Sequence, residues 1–193
     1  NSSKSTGLIH IVKNGLGNSS SIYGMYNDLV NHSKGVKIYN AALIDDRATV
    51  EGTIKIEANR APYKVYGIYA ERGKDDGQLK TIYNAYYSNN TVFNDGKKGK
   101  VTGLIDVSTT SPSSGEQYVY GIYANESVAY NVYTSVPTDS DLSADITGTI
   151  NVKSAGGNSA SQVVGMAGTG INSALYNSTI NSTINVEAIN DGI

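Results

Sequence analysis

Apolar residues along this chain come in short alternating bursts, separated by stretches of Gly, Asn, Asp and Ser. The clearest burst has the form Gly-[Leu/Thr]-Ile-x-[Ile/Val]. It occurs as Gly7-Leu8-Ile9-His10-Ile11, Gly52-Thr53-Ile54-Lys55-Ile56, Gly103-Leu104-Ile105-Asp106-Val107 and Gly148-Thr149-Ile150-Asn151-Val152. A fifth copy, Ser182-Thr183-Ile184-Asn185-Val186, has Ser in place of Gly. A period of two predicts a strand. The aliphatic pairs Ile9/Ile11, Ile54/Ile56, Ile105/Val107, Ile150/Val152 and Ile184/Val186 point inward. The pairs Leu8/His10, Thr53/Lys55, Leu104/Asp106, Thr149/Asn151 and Thr183/Asn185 point outward.

Two further modules recur in the same order. Tyr-Gly-[Ile/Met]-Tyr appears at Tyr23–Tyr26, Tyr66–Tyr69 and Tyr120–Tyr123, with a degenerate copy at Val164-Gly165-Met166-Ala167. Tyr-Asn appears at Tyr39-Asn40, Tyr83-Asn84, Tyr130-Asn131 and Tyr176-Asn177. Successive offsets are 45, 51, 45 and 34 residues for the first module, 43, 54 and 44 for the second, and 44, 47 and 46 for the third. Three columns keeping one order and nearly one period mark a repeat array, whose units bury a core only by stacking. The expected fold is an all-β parallel β-solenoid of about four three-strand coils, a single segment over 1–193 with repeats 7–51, 52–102, 103–147 and 148–193. Two smaller coils per repeat is the alternative. Length differences gather at the later corners, with insertions at 86–100 and 134–145 that predict loops projecting from a fixed scaffold. Four coils at about 4.8 Å each stack to only about 20 Å, and neither end reads as a polar cap. Both points predict a segment of a longer solenoid.

Composition agrees with many short strands joined by turns: Gly 21, Pro 3, and Tyr supplying 15 of the 16 aromatic residues. The net charge of −2 gives no global attraction to nucleic acid or anionic membrane. The basic run Lys97, Lys98 and Lys100, split by Gly99, reads as a solvated turn. No apolar stretch approaches the about 20 residues that span a bilayer as a helix. Cys is absent, which fits either a reducing compartment or export of an unfolded, uncrosslinked chain.

With Gly-Thr-Ile-x-Val, Tyr-Gly-Ile-Tyr-Ala (Tyr66 to Ala70, Tyr120 to Ala124) and Tyr-Asn-Ser-Thr-Ile recurring in order, nearly the whole chain resembles the passenger domains of Gram-negative autotransporters. That resemblance implies a right-handed β-helix exported to the bacterial surface, with any membrane contact made by a separate C-terminal barrel. It favours the export reading of the missing Cys. Many such passengers are adhesins, so the implied partner is a host-cell glycan or protein, or a second cell through self-association; nucleic acid is not among them.

Catalytic chemistry finds little support. The chain lacks Cys and a Gly-x-Ser-x-Gly elbow, and has two histidines, His10 and His32. A carbohydrate-active β-helix would need acids converging on one outward face, whereas the aligned column His10, Lys55, Asp106, Asn151, Asn185 holds one. No cofactor is expected. Calcium is the metal for which oxygen ligands exist, at Asp139, Asp141 and Asp145, at Asp45-Asp46 and at Asp75-Asp76-Gly77, although solvated turn acids account for all of these. The tyrosine modules carry the binding hypothesis. Tyr66 and Tyr69 have opposite parity, so a flat strand turns one ladder outward, either Tyr23, Tyr66, Tyr120 or Tyr26, Tyr69, Tyr123. An exposed ladder offers an apolar face with a polar tip to a glycan or protein, and the inserted loop with Tyr86, Tyr87, Phe93, Lys97 and Lys98 is a second candidate. The competing explanation is scaffold: stacked rings stabilise the solenoid itself.

Overall fold

The computed structural model describes residues 4–14, 21–27, 36–44, 48–59, 64–71, 80–88, 98–110, 116–136, 145–155, 162–170, 173–178 and 181–188. Within them the chain forms thirteen strands: β1 (Lys4–Lys13), β2 (Ser21–Asn27), β3 (Lys37–Ile44), β4 (Thr49–Ala58), β5 (Lys64–Glu71), β6 (Thr81–Ser88), β7 (Lys100–Thr109), β8 (Tyr118–Asn125), β9 (Val128–Thr134), β10 (Asp145–Ser154), β11 (Gln162–Thr169), β12 (Ala174–Tyr176) and β13 (Ser182–Ala188). Every third strand joins the same sheet, always in parallel. Sheet A runs β1-β4-β7-β10-β13, sheet B β2-β5-β8-β11 and sheet C β3-β6-β9-β12. One repeat is therefore one coil. Gly7 pairs with Gly52, Gly52 with Gly103, Gly103 with Gly148 and Gly148 with Ser182, so neighbours in the sheet are one full repeat apart. Two coils per repeat would have interposed another strand between them.

Sheet A alternates as its sequence dictates. Ile54, Ile56, Ile105, Val107, Ile150 and Val152 are buried in one aliphatic core with Val65, Ile68, Val119 and Ile122 of sheet B and Ile82 of sheet C. A second core lies further along the coil, where Ala85, Tyr87 and Val132 of sheet C meet Val101 and Ile146 of sheet A. The inward residues of β7 run Val101, Gly103, Ile105, Val107, so Gly103 marks the boundary between the two cores.

That boundary is built from the Tyr-Asn module. Asn84 is fully buried, and its Nδ2 donates to Asn131 Oδ1 at 2.8 Å, to the Gly103 carbonyl at 3.1 Å and to the Thr149 carbonyl at 3.2 Å. Asn40 repeats the pattern one coil earlier, to Asn84 Oδ1 and the carbonyls of Gly52 and Leu104. Asn131 continues it to Asn177 Oδ1 and the Gly148 carbonyl. A buried amide costs free energy unless it is paired; stacked in register, each Asn is paired by the next coil.

Candidate binding surface

In sheet B the module Val65-Tyr66-Gly67-Ile68-Tyr69-Ala70 places Val65, Ile68 and Ala70 in the core. The spacing of three, then two, breaks strict alternation at Gly67, and the pairing register steps over the Gly24, Gly67 and Gly121 rungs. A Cβ on Gly67 would overlap Ile105 Cγ2 and the Gly121 carbonyl oxygen, so this rung lies directly on sheet A. The expectation that a flat strand separates the two tyrosines is thereby corrected. Tyr66 and Tyr69 both lie outside the core, on one face, with ring centroids 5.1 Å apart and edge-to-face. Both ladders of sheet B face outward.

They form a herringbone. Tyr23, Tyr66 and Tyr120 stack at 5.1 and 5.2 Å with planes within 7°. Tyr26, Tyr69 and Tyr123 stack at 5.3 and 5.4 Å. Edge-to-face contacts such as Tyr66–Tyr123 at 5.5 Å lock the columns together. The first column is the deeper, with Tyr66 and Tyr120 each 5% exposed, whereas Tyr26 is 51% exposed.

Sheet C repeats the design around Asn84. Ile82 faces one core, and Ala85 and Tyr87 face the other; Tyr83 and Tyr86 share the outer face at 4.8 Å. Tyr39, Tyr83, Tyr130 and Tyr176 stack at 5.1, 5.2 and 4.7 Å, and Tyr86 on Tyr133 at 5.3 Å. The Tyr39, Tyr83, Tyr130, Tyr176 column is legible in the sequence as a recurring module, but its pairing with Tyr86 and Tyr133 in an outward array is not. The signal for that pairing was the same three-residue spacing of aromatics, in Tyr83-Asn84-Ala85-Tyr86 and Tyr130-Asn131-Val132-Tyr133.

The candidate loop of 86–100 divides. Tyr86 and Tyr87 belong to β6, which runs to Ser88. Tyr87 is 1% exposed and sits in the second core, because its parity matches Ala85. A ligand cannot reach it. Lys98 is exposed; Phe93 and Lys97 lie outside the described residues. So do Asp45, Asp46, Asp75, Asp76, Asp139, Asp141 and His32. Asp145 is exposed at the start of β10, its amide donating to the Gly99 carbonyl at 2.9 Å. No group of three His, Asp or Glu that could hold a metal occurs among the described residues.

Burial raises the phenols of Tyr39, Tyr69, Tyr83 and Tyr130 above their ordinary value. Burial, followed by its neighbouring rings, pushes Tyr83 up to about 12. Tyr39 and Tyr130 are raised chiefly by burial. Tyr69 is raised by burial and then by donating to Glu71 Oε2 at 2.8 Å. The outer face of sheet A is charged instead. The register aligns His10, Lys55, Asp106, Asn151 and Asn185 in one column. Beside it, Glu57 contacts His10 Nε2 at 2.8 Å and Lys55 Nζ at 2.7 Å, which holds its carboxyl below the ordinary range, Lys55 first. Such exposed pairs contribute little stability.

Chemically, the rings offer hydroxyl-tipped edges along the array. Their flat faces are spent on one another, so among the described rings of these ladders a free face exists only where a ladder stops. Compared with known proteins, the chain matches no family model, no curated protein and no solved structure.

Proposed function

We propose that this chain is a segment of a β-helical passenger domain of a Gram-negative autotransporter. It acts at the bacterial surface as a non-enzymatic, adhesin-type binding module for a host glycan or protein. The observation that carries the reading is the paving of two outer faces, sheets B and C, by twelve tyrosines in register. Tyrosine presents large, rigid contact area with a hydrogen-bonding tip and few rotamers to freeze, which suits recognition surfaces. The export route rests on the repeat style and the lack of Cys alone.

A structural stalk is the second reading. The same rings are consumed in stacking between coils, which is what a spacer needs. A glycan array together with a host-cell binding assay separates the two. The wild-type chain is expected to bind, and Tyr69→Ser with Tyr123→Ser is expected to abolish binding while circular dichroism remains that of a β protein. Removing 89–97 then shows what the inserted loop adds. A folded chain that binds neither glycan nor cell supports the stalk, and release of reducing sugar from an acidic polysaccharide would overturn the non-enzymatic reading.

A further inference from the structure

Sheet B continues for one strand after its rings stop. In β11, Val164 pairs with Tyr120 and Ala167 with Tyr123. Val163 and Met166 pack on the core, so Val164 and Ala167 hold the outer positions that tyrosines hold in the three coils before. Tyr69 covers one face of the Tyr123 ring at 5.4 Å with planes 2° apart. Among the described residues, the paired rung on the other side carries the methyl of Ala167, followed by exposed Gly168 and Thr169, and Tyr123 itself is half-buried. The sheet surface therefore steps down by one ring, with the Tyr123 face as its floor.

The rim of this step is polar. The neighbouring Tyr120 is closed off at the start of β11, where the Oε1 of exposed Gln162 accepts its hydroxyl at 2.7 Å. Thr169 Oγ1 lies 3.2 Å from the Tyr123 hydroxyl and donates to Asn125 Oδ1 at 2.9 Å. An apolar floor with an amide and a hydroxyl beside it suits a ligand that has a C–H face and polar edges.

We propose that the step at Tyr123–Ala167 binds one hexopyranose ring of a glycan, which gives a place and a ligand class to the binding reading on which it rests. The pyranose covers the same footprint as the missing phenol. Its C–H face meets the negatively polarised face of Tyr123, and its equatorial hydroxyls meet Thr169 and Asn125. An aromatic side chain would fit the floor, but it would strip water from the Asn125 amide and the Thr169 hydroxyl without pairing them, at a cost in affinity. A site this shallow binds a single sugar with a Kd on the order of 1 mM, and strength comes from repetition along a glycan or between molecules.

The test is saturation-transfer NMR of the whole chain with a panel of methyl hexopyranosides, beside the glycan array. Two variants empty or fill the step. Tyr123→Leu removes the floor, and Ala167→Tyr places a ring where the ladder would have continued, so the second is expected to fold at least as well as the wild type. Both are expected to reduce binding at least tenfold, and Leu8→Ser on sheet A to leave it unchanged. Should Ala167→Tyr misfold, Ala167→Met blocks the same space. Pyranoside or array binding that survives both Tyr123→Leu and the filling variant overturns this site and leaves the binding reading standing. A chain that binds host protein but no pyranoside overturns the ligand class. Loss of all binding, in wild type as well, removes both.

Discussion

The Gly column of the first module faces the Asn column of the third, and the contact leaves no room for a Cβ. At Gly103 a Cβ would overlap the Asn84 carbonyl oxygen, whereas at Gly7, in the first coil, nothing lies within 4 Å. Gly103→Ala is therefore expected to cost about 3 kcal/mol or more, and Gly7→Ala to stay within about 0.5 kcal/mol. Urea unfolding of the two variants checks the contrast; equal costs would mean that chain entropy, not the close approach, keeps Gly in this column. At the fifth copy Ser182 fills the position by joining the polar ladder, with its Oγ contacting Asn131 Nδ2 at 2.8 Å as well as Asn177 Oδ1. Asn84→Leu keeps the volume but leaves the Gly103 and Thr149 carbonyls and Asn131 Oδ1 without their donor. A loss of about 2–4 kcal/mol is expected, read by thermal or urea unfolding; a loss below about 1 kcal/mol would show that the ladder contributes register and not stability.

At the scale of the strand, the two tyrosine modules share one device. A residue without a free outward or inward place, Gly in sheet B and Asn in sheet C, interrupts the pleat, so residues three apart fall on the same face. Ala42 occupies the outer slot that Tyr86 and Tyr133 fill in the next two coils. Ala42→Tyr should extend that column, stacking on Tyr86 and meeting Tyr39 edge-on. It is expected to stabilise the chain by about 0.5–1.5 kcal/mol, measured as a higher unfolding midpoint at unchanged m-value. A destabilised variant would show that the outer face at Ala42 has no ring-sized space. The strands, their order and the inward aliphatic ladders of sheet A were legible because a parallel stack repeats its pattern once per coil. Tyr87 was not: in a flat reading it belongs to a loop, and only the shift at Asn84 turns it inward.

Across the whole molecule, four phenols of the two arrays couple folding to alkaline pH. Tyr83, pushed up to about 12, and Tyr39, Tyr69 and Tyr130, raised mainly by burial, stay protonated in the fold. In the unfolded chain they ionise near 10. The unfolded state thus sheds protons first, so their contribution to stability is complete below about pH 10 and falls as pH rises toward about 12. Absorbance at 295 nm and far-ultraviolet circular dichroism, followed together through an alkaline titration, are expected to show a late phenol component that appears together with the loss of the β signal above about pH 11. Complete phenol ionisation near pH 10 with the β signal intact would show the arrays to be open to water.

The sequence alone determined that the chain is a stack of repeated strand modules in three columns; that each repeat is a single coil was decided by the register. A core that no single repeat can bury forces identical residues into columns, and columns are visible as spacing. What the tertiary structure decided was the side of each column. Whether Tyr66 joins Tyr69 outside, and whether Asn84 lies inside, depends on how closely one sheet approaches another at Gly67 and Gly103. That distance is set by side chains from different coils, more than 15 residues apart along the chain, and no alternation rule within a single strand contains it.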